Sequence, residues 1–159
     1  MLLWEIVSLV AGLVSIGFAV YLYKWVMAQK NENPAMVEFS GAIQVGAATY
    51  LKRLFQALGA LALVIAIIIL FGIGWKNALA YLIGSACSAA AGYAGMYVST
   101  RANARVAWAA RTGLKKAFPV AFYAGAVMGL SVVGAALVGM TLLFMIFHDP
   151  AVVLGFSFG

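Results

Sequence analysis

Gly92 to Ala110 reads G-Y-A-G-M-Y-V-S-T-R-A-N-A-R-V-A-W-A-A. With no proline to interrupt it, the stretch runs from small and aromatic residues into Arg101 and Arg105, so one helix must leave a bilayer and continue into water. Positions three and four apart share a side of a helix. On that rule Gly84, Ser88, Gly92, Gly95 and Ser99 form a stripe of small side chains that lets a neighbouring helix approach closely in lipid. Tyr93, Tyr97, Arg101 and Arg105 step by four along another side, rings first and guanidinium groups after, as at a lipid-water boundary. Packing and anchoring account for both stripes. Asn103 falls on the small stripe, so its amide is expected to meet a partner helix or loop.

Composition agrees with a bilayer setting. Of 159 residues, 66% are hydrophobic and 9% charged, with a mean hydropathy of +1.07. A soluble domain averages about 25% charged residues, so this is an integral membrane protein. The formal charge of +6 raises nucleic acid as a partner, but five of the ten basic residues lie between Arg101 and Lys116, beside apolar spans. Membrane topology explains them, and no nucleic-acid role is needed. The single cysteine, Cys87, sits in an apolar span and offers neither a disulfide framework nor a redox pair.

The pattern predicts an all-α, polytopic bundle of four long transmembrane helices and the start of a fifth. Helix 1 covers 1–27; Glu5 opens it and Lys24 closes it, the reverse of a secretory signal. A polar link at 28–33 leads to Asn33-Pro34, a cap followed by proline at the first helical position. Long helix 2 covers 34–73. Its 39 residues from Pro34 to Gly72 reach about 58 Å, well beyond a hydrocarbon core of about 30 Å, so its first part projects from the lipid or is shielded. Trp75-Lys76-Asn77 is read as a tight turn before long helix 3 at 77–111. After a link at 112–116, helix 4 covers 117–147 with Gly125-x3-Gly129 and a second small stripe of Ser131, Ala135 and Gly139. Residues 148–159 form an outer link and the start of a truncated helix 5, which makes the chain look like an N-terminal fragment.

Lys24, Lys30, Lys52 and Arg53 surround the first connection, five cations surround the third, and Lys76 alone marks the second. The positive-inside rule then places links 28–33 and 112–116 in the cytosol and the N-terminus outside.

Chemistry needs clustered ligands or acid-base pairs, and the chain has four acidic residues, Glu5, Glu32, Glu38 and Asp149. Glu32 and Glu38, six apart, are poorly spaced to hold one magnesium ion from a single helix face. His148 is the sole histidine and ends a helix, and no phosphate-cradling glycine loop with a following lysine occurs. No intramembrane carboxylate presents itself as an ion carrier. We therefore expect no catalytic, cofactor-binding or metal-binding residue in this chain.

Gly92-Tyr93-x-Gly95-Met96, Arg101-Ala102-Asn103-x-Arg105-x-Ala107-x-Ala109-Ala110 and Gly125-Ala126-Val127-Met128-Gly129-Leu130 resemble, in order and spacing, helices 3 and 4 of membrane-bound inorganic pyrophosphatases. Ile43-Gln44-x-Gly46-Ala47-x-x-Tyr50-Leu51-x-Arg53 resembles the family's second-helix motif, and Gly155-Phe156-Ser157-Phe158-Gly159 the entry to its fifth. After Arg53 this chain has Leu54-Phe55, where the family commonly has an acidic residue and an aromatic. The resemblance implies a sixteen-helix homodimeric pump that hydrolyses cytosolic pyrophosphate with magnesium and moves protons or sodium ions outward. It implies that the first four helices belong to an outer ring and that the aspartate-rich magnesium and pyrophosphate motifs lie downstream. Gly92, Gly95, Arg101, Asn103, Arg105, Gly125 and Gly129 are the candidate interface residues, with the bilayer and the remaining helices of the parent chain as partners. Asn103→Leu is expected to disturb assembly more than Arg105→Lys. The alternative is a complete, small, non-enzymatic four-helix membrane protein, an exporter or an accessory subunit.

Overall fold

The computed structural model describes residues 2–31 and 33–159. Five helices follow one another: α1 (Leu2–Met27), α2 (Pro34–Gly72), α3 (Trp75–Ala110), α4 (Leu114–Phe147) and α5 (Pro150–Ser157). The first four are long and apolar enough to cross a membrane.

Local chemistry sets the boundaries. Asn33 caps α2, its Oδ1 accepting from the Ala35 and Met36 amides at 3.0 and 3.3 Å, and Pro34 occupies the first turn, where no amide donor is required. Asp149 and Pro150 repeat the device at α5, with the Ala151 amide 2.9 Å from Asp149 Oδ1. His148 ends α4 in the left-handed region, and its N–H donates to the Phe144 carbonyl at 2.8 Å.

Two turns differ from the sequence expectation. Gly74, at φ +132, reverses the chain by itself, so α3 begins at Trp75 and the expected turn over Trp75, Lys76 and Asn77 is its first helical turn. Gly113, at φ +115, ends the link of Arg111, Thr112 and Gly113 before α4, which starts at Leu114 rather than 117 and takes in Lys115 and Lys116. Pro119 then lies inside α4, where it removes the donor that would pair with the Lys115 carbonyl.

α4 packs between α1 and α3, and α3 touches each of the other four helices. α5 closes against α3 and α4, whereas α2 touches α3 alone among the helices. One core lies between α1, α3 and α4 and is built from Ala19, Leu22, Val26, Val98, Ala102, Val120, Ala124 and Val127. A second, of Ala80, Leu143, Val152 and Phe156, lies where α5 seats.

Glycines bring the backbones together at two crossings. A Cβ on Gly12 would lie 3.1 Å from the Gly134 carbonyl, and one on Gly134 would lie 2.9 Å from the Gly12 carbonyl, so α1 and α4 meet backbone to backbone. Ser15 Oγ fixes that pair by donating to the Leu130 carbonyl at 2.9 Å. Gly84 faces the Phe156 carbonyl, and a Cβ on Gly155 would lie 2.9 Å from the Asn77 carbonyl, which seats α5 on α3.

Candidate functional site

The junction at the end of α3 is a ladder of rings and cations. Tyr93 and Tyr97 lie 6.2 Å apart, centroid to centroid, and Tyr23 of α1 approaches Tyr97 at 6.4 Å. The Arg101 guanidinium carbon sits 3.4 Å from the Tyr97 ring centroid, and its Nη1 donates to the Tyr97 carbonyl at 3.3 Å. A cation over a ring face in this way is held by the ring's quadrupole, so Arg101 is anchored to its own helix. One turn on, Arg105 Nη1 donates to the Arg101 carbonyl at 2.7 Å, while its Nε is buried with no partner among the described residues. Arg111 stacks on Trp108 at 4.6 Å, and Trp25 meets Tyr123 edge-on at 4.9 Å. The spacing of the tyrosines and arginines thus becomes a physical ridge.

The small stripe does not become the packed seam. Ala91, Gly95, Val98 and Ala102 are buried, whereas Ser88, Ser99 and Asn103 are exposed. Only Gly84 and Gly95 of the stripe approach a neighbour closely; a Cβ on Gly95 would come 2.6 Å from the Met128 thioether. Gly92, Gly125 and Gly129 make no such approach, a Cβ on each meeting nothing within 4 Å. The reason is geometric: α3 contacts α2, α4 and α5, so its contacts are spread over several faces and alanine is small enough to serve at most of them. On α4 the close approaches fall instead at Gly134 and at Gly139, the latter facing the Phe156 ring. Asn103 is exposed, between the buried Ala102 and Ala104.

A polar link between α2 and α3 escaped the sequence analysis. Buried Ser40 donates to the Thr100 carbonyl at 3.5 Å and accepts from Gln44 Nε2 at 3.0 Å. Thr100 Oγ1 turns back to the Met96 carbonyl at 2.9 Å. The Ser40, Gln44 pair, one turn apart in an otherwise apolar stretch, was the available signal.

Among the described residues no three of His, Cys, Asp or Glu come together. Glu5 lines a cleft with Met140 and Pro150 at one end of the bundle, beside the Asp149 cap, whereas Glu38 lies in the first turns of α2. The pairing weighed for Glu32 with Glu38 lies outside the described residues.

Comparison with known proteins places the chain. The family model described as inorganic H+ pyrophosphatase matches residues 13–159. Over 151 residues the chain is 42% identical to the K(+)-insensitive pyrophosphate-energized proton pump of Methanosarcina mazei, covering 94% of this chain and 22% of that protein. Its identity to the K(+)-insensitive pyrophosphate-energized proton pump of Pyrobaculum aerophilum is 38% over 172 residues, 99% of this chain and 24% of the relative. The K(+)-stimulated pyrophosphate-energized sodium pump of Thermotoga maritima is 42% identical over 137 residues, 85% of this chain and 19% of the relative. The chain therefore spans about a fifth to a quarter of the length of the curated relatives it matches. Four membrane-length helices, the ring-and-cation junction of α3 and a family match from residue 13 to the last residue agree, and the chain belongs to the inorganic H+ pyrophosphatase family.

Proposed function

We propose that these helices are the peripheral, outer-ring part of a membrane pump that couples hydrolysis of pyrophosphate to outward movement of protons or sodium ions. The observation that carries this is the family match across residues 13–159, beside a bundle in which no three of His, Cys, Asp or Glu come together among the described residues. Such a segment packs, anchors and orients. Magnesium and pyrophosphate are then held by residues elsewhere in the parent protein, and the segment supplies no catalytic group. Its exposed apolar surface supports the same role. α2 touches only α3, and its membrane half presents Leu61, Val64, Ile68 and Phe71 outward, to lipid or to further helices. We also propose a homodimer, on the family resemblance.

The test uses the protein as extracted from its native membrane, found with an antibody against residues 24–38. Its intact mass is expected to be several times the 16.7 kDa of this chain, and it should hydrolyse pyrophosphate with magnesium while acidifying sealed vesicles or loading them with sodium. A 16.7 kDa species without hydrolysis would overturn the proposal and leave the small accessory protein in its place.

A further inference from the structure

The last turns of α1 and α3 and the first turn of α4 enclose a cleft of about 510 Å³. Its walls include Trp25, Gln29, Arg105, Trp108, Lys115 and Lys116. Among the described residues the charge lining it is one-sided. Glu5 and Asp149 lie at the opposite end of the bundle, and Glu38 belongs to α2, which touches neither α1 nor α4. Lys115 and Lys116 are exposed, and Arg105 keeps a buried Nε with no partner among the described residues. The start of α4 adds the positive end of its dipole. The cleft therefore has the chemistry of an anion site, and its two tryptophans mark the depth of lipid headgroups.

A second hollow fixes which anion. Eleven residues before Trp108, Tyr97 lines an apolar crevice of about 320 Å³ together with Ile16, Val20, Tyr23 and Tyr93. Eleven residues are three turns to within about 20°, so Tyr97 and Trp108 share a face of α3, about 16 Å apart along its axis. A cationic cleft at headgroup level with an apolar crevice on the same helix face, toward the membrane interior, matches a phospholipid with an anionic headgroup better than a free anion.

We propose that this is a binding site for an anionic phospholipid. Arg105, Lys115 and Lys116 take the phosphate, Trp25 and Trp108 flank the glycerol region, and one acyl chain runs past Tyr97 and Tyr23. Basic pockets between transmembrane helices hold lipid headgroups by this combination of charge and depth. The site needs only that the protein sits in a membrane, so it stands apart from the pumping proposal.

The experiment is native mass spectrometry of the full-length protein released from bilayers of phosphatidylglycerol and phosphatidylcholine, with the Lys115→Gln/Lys116→Gln double variant beside it. Both lysines are exposed, so the variant is expected to fold, and Lys76→Gln at the opposite end serves as the control. Retention of phosphatidylglycerol is expected to fall at least tenfold in the double variant and to stay unchanged in Lys76→Gln. Equal retention in all three proteins overturns the proposal. Glycerol phosphate and inorganic phosphate are tested as competitors; displacement of the lipid by either at concentrations comparable to the lipid's own would show a soluble-anion site and also overturn it.

Discussion

Gly84 has only hydrogen where the Phe156 carbonyl of α5 comes in, and the obstacle to any side chain is backbone that cannot swing aside. Gly84→Ala in the full-length protein is therefore expected to lower stability by about 1–3 kcal/mol, the usual cost of overpacking. Gly125, one of the candidate interface residues, is the comparison. A Cβ there meets nothing within 4 Å, so Gly125→Ala is expected to be neutral or to gain up to about 1 kcal/mol from helix propensity. Thermal unfolding in detergent checks the pair; a larger loss at Gly125 would show that the rest of the protein packs on it. Asn103 is a different case. Its placement on the glycine stripe was expected to bring it a partner, but the stripe is not the buried seam, and within this segment Asn103 faces outward. The expected ranking of Asn103→Leu above Arg105→Lys now depends on helices beyond this segment, whereas Arg105 already holds the Arg101 carbonyl.

α2 shows what one sequence can and cannot convey about an element. Its existence, its length and its start were legible, because Asn33-Pro34 specifies a cap and a first turn with no tertiary help. Asn33→Ala is expected to cost about 1 kcal/mol, visible as faster hydrogen exchange at the Ala35 and Met36 amides with little change in the membrane half of α2; unchanged exchange would contradict the cap. The partner of α2 was not legible. Hydrophobicity in lipid does not distinguish a face toward a helix from a face toward acyl chains, since both are apolar. The contact with α3 is instead marked by the small polar group Ser40, Gln44 and Thr100, whose identities carry no instruction until the two helices are side by side. The same ambiguity put the packing stripe of α3 on its glycines, although alanine and valine fill most of the seam. The turns were displaced for a different reason: a glycine at positive φ stands just before each helix start, Gly74 before α3 and Gly113 before α4, whereas sequence alone put the links at 75–77 and 112–116.

Across the whole molecule the cations sort to one end, and that sorting has a testable consequence. α1 ends, α3 ends and α4 starts around one cleft that holds Arg105, Lys115 and Lys116. At the other end Trp75 meets Phe147 edge-on at 6.1 Å and Lys76 lies 5.9 Å from the same ring, which places the α2-α3 turn beside the end of α4. The two ends therefore differ in charge within one rigid set of contacts, and positive-inside bias would act on the segment as a unit. We propose that the cationic end is cytosolic. Single cysteines at Thr112 and at Ile73, in a full-length background free of other reactive thiols, report it through a membrane-impermeant maleimide. Thr112→Cys is expected to react in inverted vesicles only and Ile73→Cys in right-side-out vesicles only. Reaction of both from the same side would break the four-span arrangement, since an even number of crossings would then separate the two turns. The reverse sidedness would keep the arrangement and invert it, which would put the proposed lipid site in the outer leaflet.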